Sequence, residues 1–268
     1  MLPIYNAISF QRVLEKGGRT KPWLVLVNTG TSVQPYVVKL FETALIEEKD
    51  SVTSEVLGNI LAREFDLHVP DAALINMGNS DFTKTIQDPA LLKILDEKDN
   101  RLKFGSSLLD GFYRFDASSV SLAEAKRMIE IDTLFAFDNL IRNPDRNNLK
   151  PNLLVKSDQA FLIDHELGFE ITDTSIHELK SWQWKERFFR YHIFYNYLKN
   201  SPQAIKKDYF DEFGELLVRL NVKFLEPYFE QLANLGFSRK NGEVIRRYLS
   251  EMKQNSTKFV SLLKGLIS

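Results

Sequence analysis

Residues 137–169 read FDNLIRNPDRNNLKPNLLVKSDQAFLIDHELGF, in which a stretch rich in Asn, Asp and Pro separates apolar runs. A helix is predicted to end near Arg142, because Pro144 and Pro151 disfavour helical backbone angles around them. The next residues, NPDRNNLKPN, are therefore predicted to form a loop. The apolar runs LLV and AFLID that follow predict a β-hairpin around the turn KSDQ.

Three oxygen-bearing side chains are predicted to converge at the open end of this hairpin. Asn152 and Asp164 flank its two strands, and Asp145 comes from the loop just before it. Two carboxylates and a carboxamide make the hard, oxygen-only site that Mg²⁺ prefers when it also holds substrate phosphates. One carboxylate can take the proton of an attacking hydroxyl while the other holds the metal. Asp, Asn and Pro are also the commonest turn formers, so the loop taken alone is compatible with an ordinary turn.

Composition excludes several classes of protein. With 268 residues and 44% hydrophobic content, the chain is expected to be soluble and globular, as one bilobal unit or two small domains. A net charge of -1 with evenly spread basic residues predicts no nucleic-acid binding. The absence of cysteine excludes disulfides, thiolate metal sites and cysteine nucleophiles. The apolar runs are too short to span a bilayer, and residues 1–18 lack the uninterrupted apolar segment of a signal peptide. The sequence therefore predicts a cytoplasmic protein with no membrane association.

The pattern changes along the chain and predicts an α+β protein. Residues 1–112 are predicted to be β-rich with one helix, which begins near Ser51 as N-cap. The predicted strands are WLVLV (23–27), YVVKLF (36–41), AALINM (72–77) and RLKFGSSLL (101–109). The helix carries an apolar stripe formed by Val52, Val56, Leu57, Ile60, Leu61 and Phe65. Residues 113–268 are predicted to be mainly helical.

Two features of the second part concern its packing. Ser121 and Glu124 in SLAE predict a capping box, and apolar residues continue at helical spacing through Leu122, Ala125, Ile129 and Phe135. Aromatic residues at helical spacing in 181–198 are predicted to be core. Asp132 and Asp138 are interpreted as structural partners of Arg146 or Arg142.

The quoted motifs support a resemblance to a known family. NPDRNNLKPNLLV followed by FLIDHELGF resembles the catalytic loop and metal-binding strand of the HipA-like kinases, relatives of the phosphatidylinositol kinases. The resemblance implies that Asp145 is the catalytic aspartate, and that Asn152 and Asp164 hold Mg²⁺. It also implies a bilobal, protein-kinase-like fold with a small β-rich N-lobe and a larger, mainly helical C-lobe. ATP and Mg²⁺ would lie in the cleft between them.

The order of motifs upstream fits the same family. The resemblance implies that Gly17, Gly18 and Thr20 approach the ATP phosphates, followed by a phosphate-binding lysine, Lys39, and a helix glutamate, Glu55. A lysine inside an apolar strand needs a partner if it is buried. Glu55 is the natural partner, and their ion pair would hold Lys39 against the α- and β-phosphates. The alternative is that Lys39 points outward from an edge strand and that Glu55 lies on a solvated helix face.

The sequence departs from the family pattern at two positions in the loop. Asn147 stands where the phosphatidylinositol kinases have histidine, and Lys150 stands where many HipA-like relatives have asparagine. The implied activity is transfer of the γ-phosphoryl group of ATP to a hydroxyl, on serine or threonine of a protein. Family similarity suggests a toxin-like or regulatory role beside a small antitoxin-type partner. Two alternatives remain, namely a catalytically inactive nucleotide-binding module, which Lys150 invites, and a small-molecule or lipid kinase with the same motifs.

Overall fold

The computed structural model describes residues 1–14, 21–172, 174–175, 177, 188–237 and 242–268. The chain has a mixed α+β fold and divides into two compact units. The first comprises Met1–Leu57, Pro70–Asp110 and Glu226–Arg239, and the second comprises Gly58–Val69, Gly111–Leu225 and Lys240–Ser268. The division predicted from sequence, at residue 112, assigns 58–69 and 226–239 differently.

A closed barrel forms the first unit's main element. In the described part of the chain its strands are arranged in the order β1-β2-β3-β5-β4. β1 and β4 pair in parallel, and the other neighbouring strands are antiparallel. The strands are β1 (Ile4–Val13), β2 (Trp23–Asn28), β3 (Val33–Val38), β4 (Ala72–Asn76) and β5 (Lys103–Ser107). Trp23, Val25 and Val27 of β2 are buried in its core, as the apolar run WLVLV predicts.

The strand β1 was not predicted from the sequence. Most of its side chains are exposed or half-buried, and its pairing with β2 is irregular between Ala7 and Ser9 and between Phe10 and Arg12. Such irregularities break the two-residue alternation that identifies a strand. β3 also ends earlier than predicted, at Val38, so that Lys39 follows the strand instead of lying inside it.

The prediction of one helix within residues 1–112 is wrong. The structure contains α1 (Thr43–Lys49), α2 (Ser51–Arg63), α3 (Ser80–Thr83) and α4 (Pro89–Asp96). Except for α2, these helices are too short to show a clear apolar periodicity. Asp50 precedes α2 and its carbonyl accepts from the Ser54 amide at 2.8 Å, so Ser51 is not the N-cap. The predicted apolar stripe of α2 is buried.

Two helices precede the loop that contains Asp145, instead of one continuous helix. α5 (Leu122–Met128) begins with the predicted capping box of Ser121 and Glu124. Although the helical spacing of apolar residues continues through Ile129, the backbone is extended there, with φ -160° and ψ 148°. α6 (Ile131–Leu140) then leads to the loop.

The predicted hairpin is confirmed. β7 (Leu153–Lys156) and β8 (Gln159–Leu162) are antiparallel neighbours, and β6 (Tyr113–Arg114) adds a third strand beside β7. Leu153 pairs with Leu162, which places the ends of the hairpin next to each other.

From residue 188 onward, the described chain is mainly helical. Its helices are Tyr195–Lys199, Gln203–Lys206, Asp211–Arg219, Glu226–Asn234, Gly242–Gln254 and Ser256–Leu266. Phe189 and Phe194 are buried, as predicted for the aromatic segment, but Tyr191 is 73% exposed, so the prediction is confirmed only in part. Residues 181–187 lie outside the described residues. Among the described residues, no helix is both long enough and apolar enough to cross a bilayer.

Candidate active site

The ion pair predicted between Lys39 and Glu55 is present in the first unit. Lys39 Nζ donates a hydrogen bond to Glu55 Oε1, and the Glu55 side chain is buried. The backbone amide of Lys39 donates to the Phe104 carbonyl of β5 at 3.0 Å, so the residue is fixed to the barrel although it lies beyond β3. This geometry excludes the alternative in which Glu55 lies on a solvated helix face. The role of Lys39 at phosphates stays a prediction.

The Asp145 loop and the hairpin are joined by a direct hydrogen bond in the second unit. Asn152 Nδ2 donates to the Asp145 carbonyl oxygen at 3.2 Å. This contact fixes the carboxamide of Asn152 and leaves its Oδ1 as the atom that can face a cation. The Asp145 amide donates to Asn143 Oδ1 at 3.1 Å, which holds the loop on its other side.

Asp164 lies at the same end of the hairpin as Asn152. The Ile163 amide donates to the Asn152 carbonyl at 3.1 Å, so the pairing of the two strands continues to the residue before Asp164. Both Asn152 (φ 46°) and Asp164 (φ 65°) adopt left-handed backbone angles. Asn and Asp tolerate this conformation better than other non-glycine residues, which explains why short polar side chains can occupy both positions.

The donor set at this end of the hairpin fits a hard divalent cation. Carboxylate oxygens of Asp164 and Glu166 lie within 4.8 Å of each other, and Asn152 offers a carboxamide oxygen. Oxygen donors of this kind suit Mg²⁺, which keeps several waters and binds through one or two carboxylates. Glu166 was not predicted from the sequence. Its position two residues after Asp164 was the signal that could have identified it.

A buried ionic network connects the Asp145 loop to the preceding helix and to the hairpin. Arg146 Nε donates to Asp138 Oδ2 at 2.5 Å, and Arg146 Nη1 donates to the Asn152 carbonyl. Both charged side chains are fully buried. The prediction that Asp138 is a structural partner of Arg146 is confirmed. Asp132 instead accepts from the Phe210 amide at 2.8 Å.

His192 completes this network in its neutral form. Its Nδ1 accepts from the Phe194 amide at 3.1 Å, so the ring proton must lie on Nε2, which donates to Asp138 Oδ2 at 3.0 Å. Burial lowers the pKa of His192 from its ordinary 6.5, against the opposing effect of Asp138. Burial alone would raise the pKa of Asp138, but Arg146 and His192 outweigh it and lower this pKa to about 2.

The neutral state of His192 predicts a pH dependence of stability. Because the unfolded chain binds a proton near pH 6.5 that folded His192 does not, the free energy of unfolding should fall as the pH drops below about 6.5. The slope should reach at most about 1.4 kcal/mol per pH unit for one proton. Urea unfolding between about pH 7 and 5 should show this slope in the wild type and in the exposed-site control His68→Asn. An equal slope in His192→Asn would contradict the assignment.

The residue after Asp164 packs against a glycine in the middle of α2. A Cβ built on Gly58 would overlap Cβ and Cγ of His165, which is buried. Because the His165 Cβ is attached directly to the backbone, it cannot rotate away. Gly58 was not predicted to be part of the site, although a glycine inside a helix is itself a signal of close packing.

Gly58→Ala is therefore expected to destabilise the protein by about 1–3 kcal/mol, through overpacking next to the Asp164 segment. Gly265→Ala is the matched control, because a Cβ there meets nothing within 4 Å. In a helix this control should change stability by less than about 1 kcal/mol, and in the stabilising direction. Thermal unfolding of both variants measures the difference, and equal effects would contradict the packing argument.

Three predicted site residues, Gly17, Gly18 and Thr20, lie outside the described residues. Of the others, the structure brings Lys39 together with Glu55 in one unit. In the other unit it joins Asp145 to Asn152 and places Asp164 at the same end of the hairpin.

Comparisons with known proteins define the class of this fold. The crystal structure of the proinflammatory kinase CtkA of Helicobacter pylori is similar over 98% of both chains, with 13% sequence identity and a TM-score of 0.50. At this identity the likeness concerns the fold alone. A search of curated protein sequences finds no significant match.

The family follows from the sequence itself. The model of the HipA-like kinase family matches residues 9–224, which is most of the chain. The chain belongs to the HipA-like kinase family. As a member of this kinase family, it is a phosphotransferase. The resemblance stated from the loop and hairpin motifs is confirmed.

Proposed function

We propose that the protein transfers the γ-phosphoryl group of ATP, with Mg²⁺, to a hydroxyl group on serine or threonine of a protein. In this proposal Asp145 accepts the proton of the attacking hydroxyl. Asn152 and Asp164 hold Mg²⁺, which supplies charge neutralisation at the phosphates. Lys39, held by Glu55, binds the α- and β-phosphates, and Gly17, Gly18 and Thr20 cover them.

The observation that carries this proposal is the connection between the loop and the hairpin. The Asn152 carboxamide is hydrogen-bonded to the Asp145 backbone, and the strand pairing continues from Asn152 to the residue before Asp164. A proton acceptor and an oxygen-rich cation site are thereby held in one rigid frame. Phosphoryl transfer depends on positioning and electrostatics of this kind.

One contact favours a second candidate function. Lys150 Nζ lies 3.1 Å from Asp145 Oδ2, so the proposed catalytic carboxylate already has a cation bound to it. An inactive nucleotide-binding module would tolerate such a contact. A small-molecule or lipid kinase would keep the same donor residues and differ in its acceptor.

A panel of acceptors tests these functions against each other. Purified protein, ATP and Mg²⁺ are incubated with dephosphorylated protein mixtures, with phosphoinositide vesicles or with hydroxylated metabolites, and ADP and labelled products are measured. The proposal predicts phosphoserine or phosphothreonine in the protein arm, including phosphorylation of the chain itself. Product only in the vesicle or metabolite arm would support the third function. Nucleotide binding without ADP formation would support the inactive module.

Lys39→Met is expected to lower the affinity for a non-hydrolysable ATP analogue about 10–100-fold. The reason is the loss of charge-assisted hydrogen bonds to phosphate, each worth about 1.5–3 kcal/mol. Isothermal titration measures the affinity. Lys98→Met is the matched control, because Lys98 also pairs with a glutamate, Glu42, at 3.0 Å. A comparable loss in both variants would count against a specific role of Lys39.

A protein partner belongs to the same proposal. Family membership supports a toxin-like or regulatory kinase that acts beside a small antitoxin-type protein. The chain can be co-expressed with a small protein encoded by an adjacent gene and then purified. Copurification of the two proteins tests the proposed partner separately from catalysis.

A further inference from the structure

We propose that Lys150 is a catalytic residue, whose ammonium group binds the phosphoryl group while it passes to the hydroxyl held by Asp145. The inference rests on the proposed function and adds a residue to its site. It also assigns a positive role to the position at which the sequence departs from its family.

The first observation is the position of the ammonium group. Lys150 Nζ is 3.1 Å from Asp145 Oδ2, with 48% of the lysine side chain and 12% of the aspartate side chain exposed. The pair therefore borders solvent, from which a substrate can approach. An ammonium has three N–H donors. Among the described residues only the Asp145 carboxylate accepts from it, so donors remain for a second anionic group.

The second observation is a turn that fixes the backbone of Lys150. Asn147 Oδ1 accepts from the amides of Leu149 and Lys150, each at 3.0 Å, and the Asn147 amide donates to the Lys150 carbonyl at 2.9 Å. A carboxamide oxygen has two lone pairs and can accept both bonds, whereas a neutral imidazole has a single accepting nitrogen. Asn147, which replaces the histidine of the phosphatidylinositol kinases, and Lys150, which replaces the asparagine of HipA-like relatives, are thus parts of one structure.

The third observation is that the contact between Lys150 and Asp145 is suited to rearrangement. A solvent-bordering ion pair contributes little to stability, because water screens it and both side chains lose freedom. Lysine places a compact charge on a flexible stem. The ammonium can therefore move from the carboxylate to an arriving anion without a large cost to the fold.

The ammonium group of Lys150 would stabilise charge that develops during phosphoryl transfer. The acceptor oxygen forms a bond to the γ-phosphorus while the bond from that phosphorus to the β,γ-bridging oxygen breaks. The electron pair of the broken bond goes to ADP, and the acceptor proton goes to Asp145. Negative charge on the moving phosphoryl group is spread over its equatorial oxygens. A cation whose backbone is held beside the proton acceptor, and whose ammonium can reach the moving phosphoryl group, stabilises that charge where it develops.

Isothermal titration measures the affinity of the protein for MgADP in the absence and in the presence of aluminium fluoride. Aluminium fluoride mimics the moving phosphoryl group. In the wild type, aluminium fluoride should tighten MgADP binding. Lys150→Met should reduce this tightening at least about tenfold and leave the affinity for MgADP alone within about twofold. It should also lower kcat about 100-fold, as the loss of one charge-stabilising donor does. Lys150→Arg should restore part of both effects.

The matched control is Lys84→Met, because Lys84 forms an exposed ion pair with Asp81 at 3.0 Å. This variant should behave like the wild type. Unchanged tightening in Lys150→Met, or faster transfer than in the wild type, would overturn the inference; the latter would mean that Lys150 blocks Asp145. Absence of MgADP binding in the wild type and the control would instead overturn the proposed function, and the inference with it.

Discussion

Asp145→Asn is expected to lower phosphoryl transfer by about 10³-fold while the fold is retained. Proton transfer to a positioned side chain contributes about 10²–10⁴-fold to a rate. Asparagine has nearly the same shape as aspartate but cannot accept the proton. The backbone contacts of residue 145, which hold the loop to Asn143 and Asn152, do not involve the carboxylate. The loss should therefore appear in kcat, with the affinity for nucleotide little changed.

Initial rates of ADP formation with the preferred acceptor measure this effect. Asp158→Asn provides the control, because Asp158 is an exposed aspartate in the turn of the neighbouring hairpin. It should retain the wild-type rate. If Asp145→Asn retained more than about a tenth of the wild-type rate, Asp145 would not be the proton acceptor.

Arg146→Met is expected to destabilise the protein by about 3–5 kcal/mol, because it leaves the buried carboxylate of Asp138 without its cation. It also removes the donor to the Asn152 carbonyl. The free energy of unfolding in urea measures the change. Arg219→Met is a suitable control, since Arg219 forms an exposed ion pair with Glu215 and should change stability by less than about 1 kcal/mol.

A double variant separates the stability of this network from its role in positioning. Asp138→Leu combined with Arg146→Met removes both charges and should recover part of the lost stability, because an apolar pair does not carry an uncompensated charge. Phosphoryl transfer should remain below the wild-type rate in the single and the double variant, since both lose the hydrogen bond from Arg146 to the Asn152 carbonyl. Full recovery of activity together with stability would show that the network does not position the loop.

The hairpin could be predicted from the sequence because its signals are local. Apolar runs of the right length flank a polar turn, and strand pairing then requires Asn152 and Asp164 to lie at the same end. β1 could not be found in this way, since its exposed side chains and irregular register conceal the alternation. The break at Ile129 was equally hidden, because apolar spacing continues through it.

Residues of the candidate site could be predicted where the sequence pattern places a charged side chain among apolar residues, because such a side chain requires a partner. Lys39 next to apolar residues requires an anionic partner, and Glu55 supplies it. The contact of Lys150 with Asp145 could not be predicted, because five residues of loop have no fixed geometry. It depends on the turn that Asn147 closes, and a carboxamide accepting two amides is not visible in a sequence. Gly58 and His165 are distant in sequence, so their contact required the folded structure.

We propose that Asp145 and the hairpin residues Asn152 and Asp164 perform phosphoryl transfer from ATP. The most direct test of this proposal is the transfer of a radiolabelled γ-phosphate by purified wild type and by Asp164→Asn, which keeps a residue that tolerates the left-handed backbone at this position. We expect labelled protein product in the wild type that requires Mg²⁺ and is lost in Asp164→Asn. Equal labelling by both proteins, or labelling that persists when Mg²⁺ is chelated, would contradict the account.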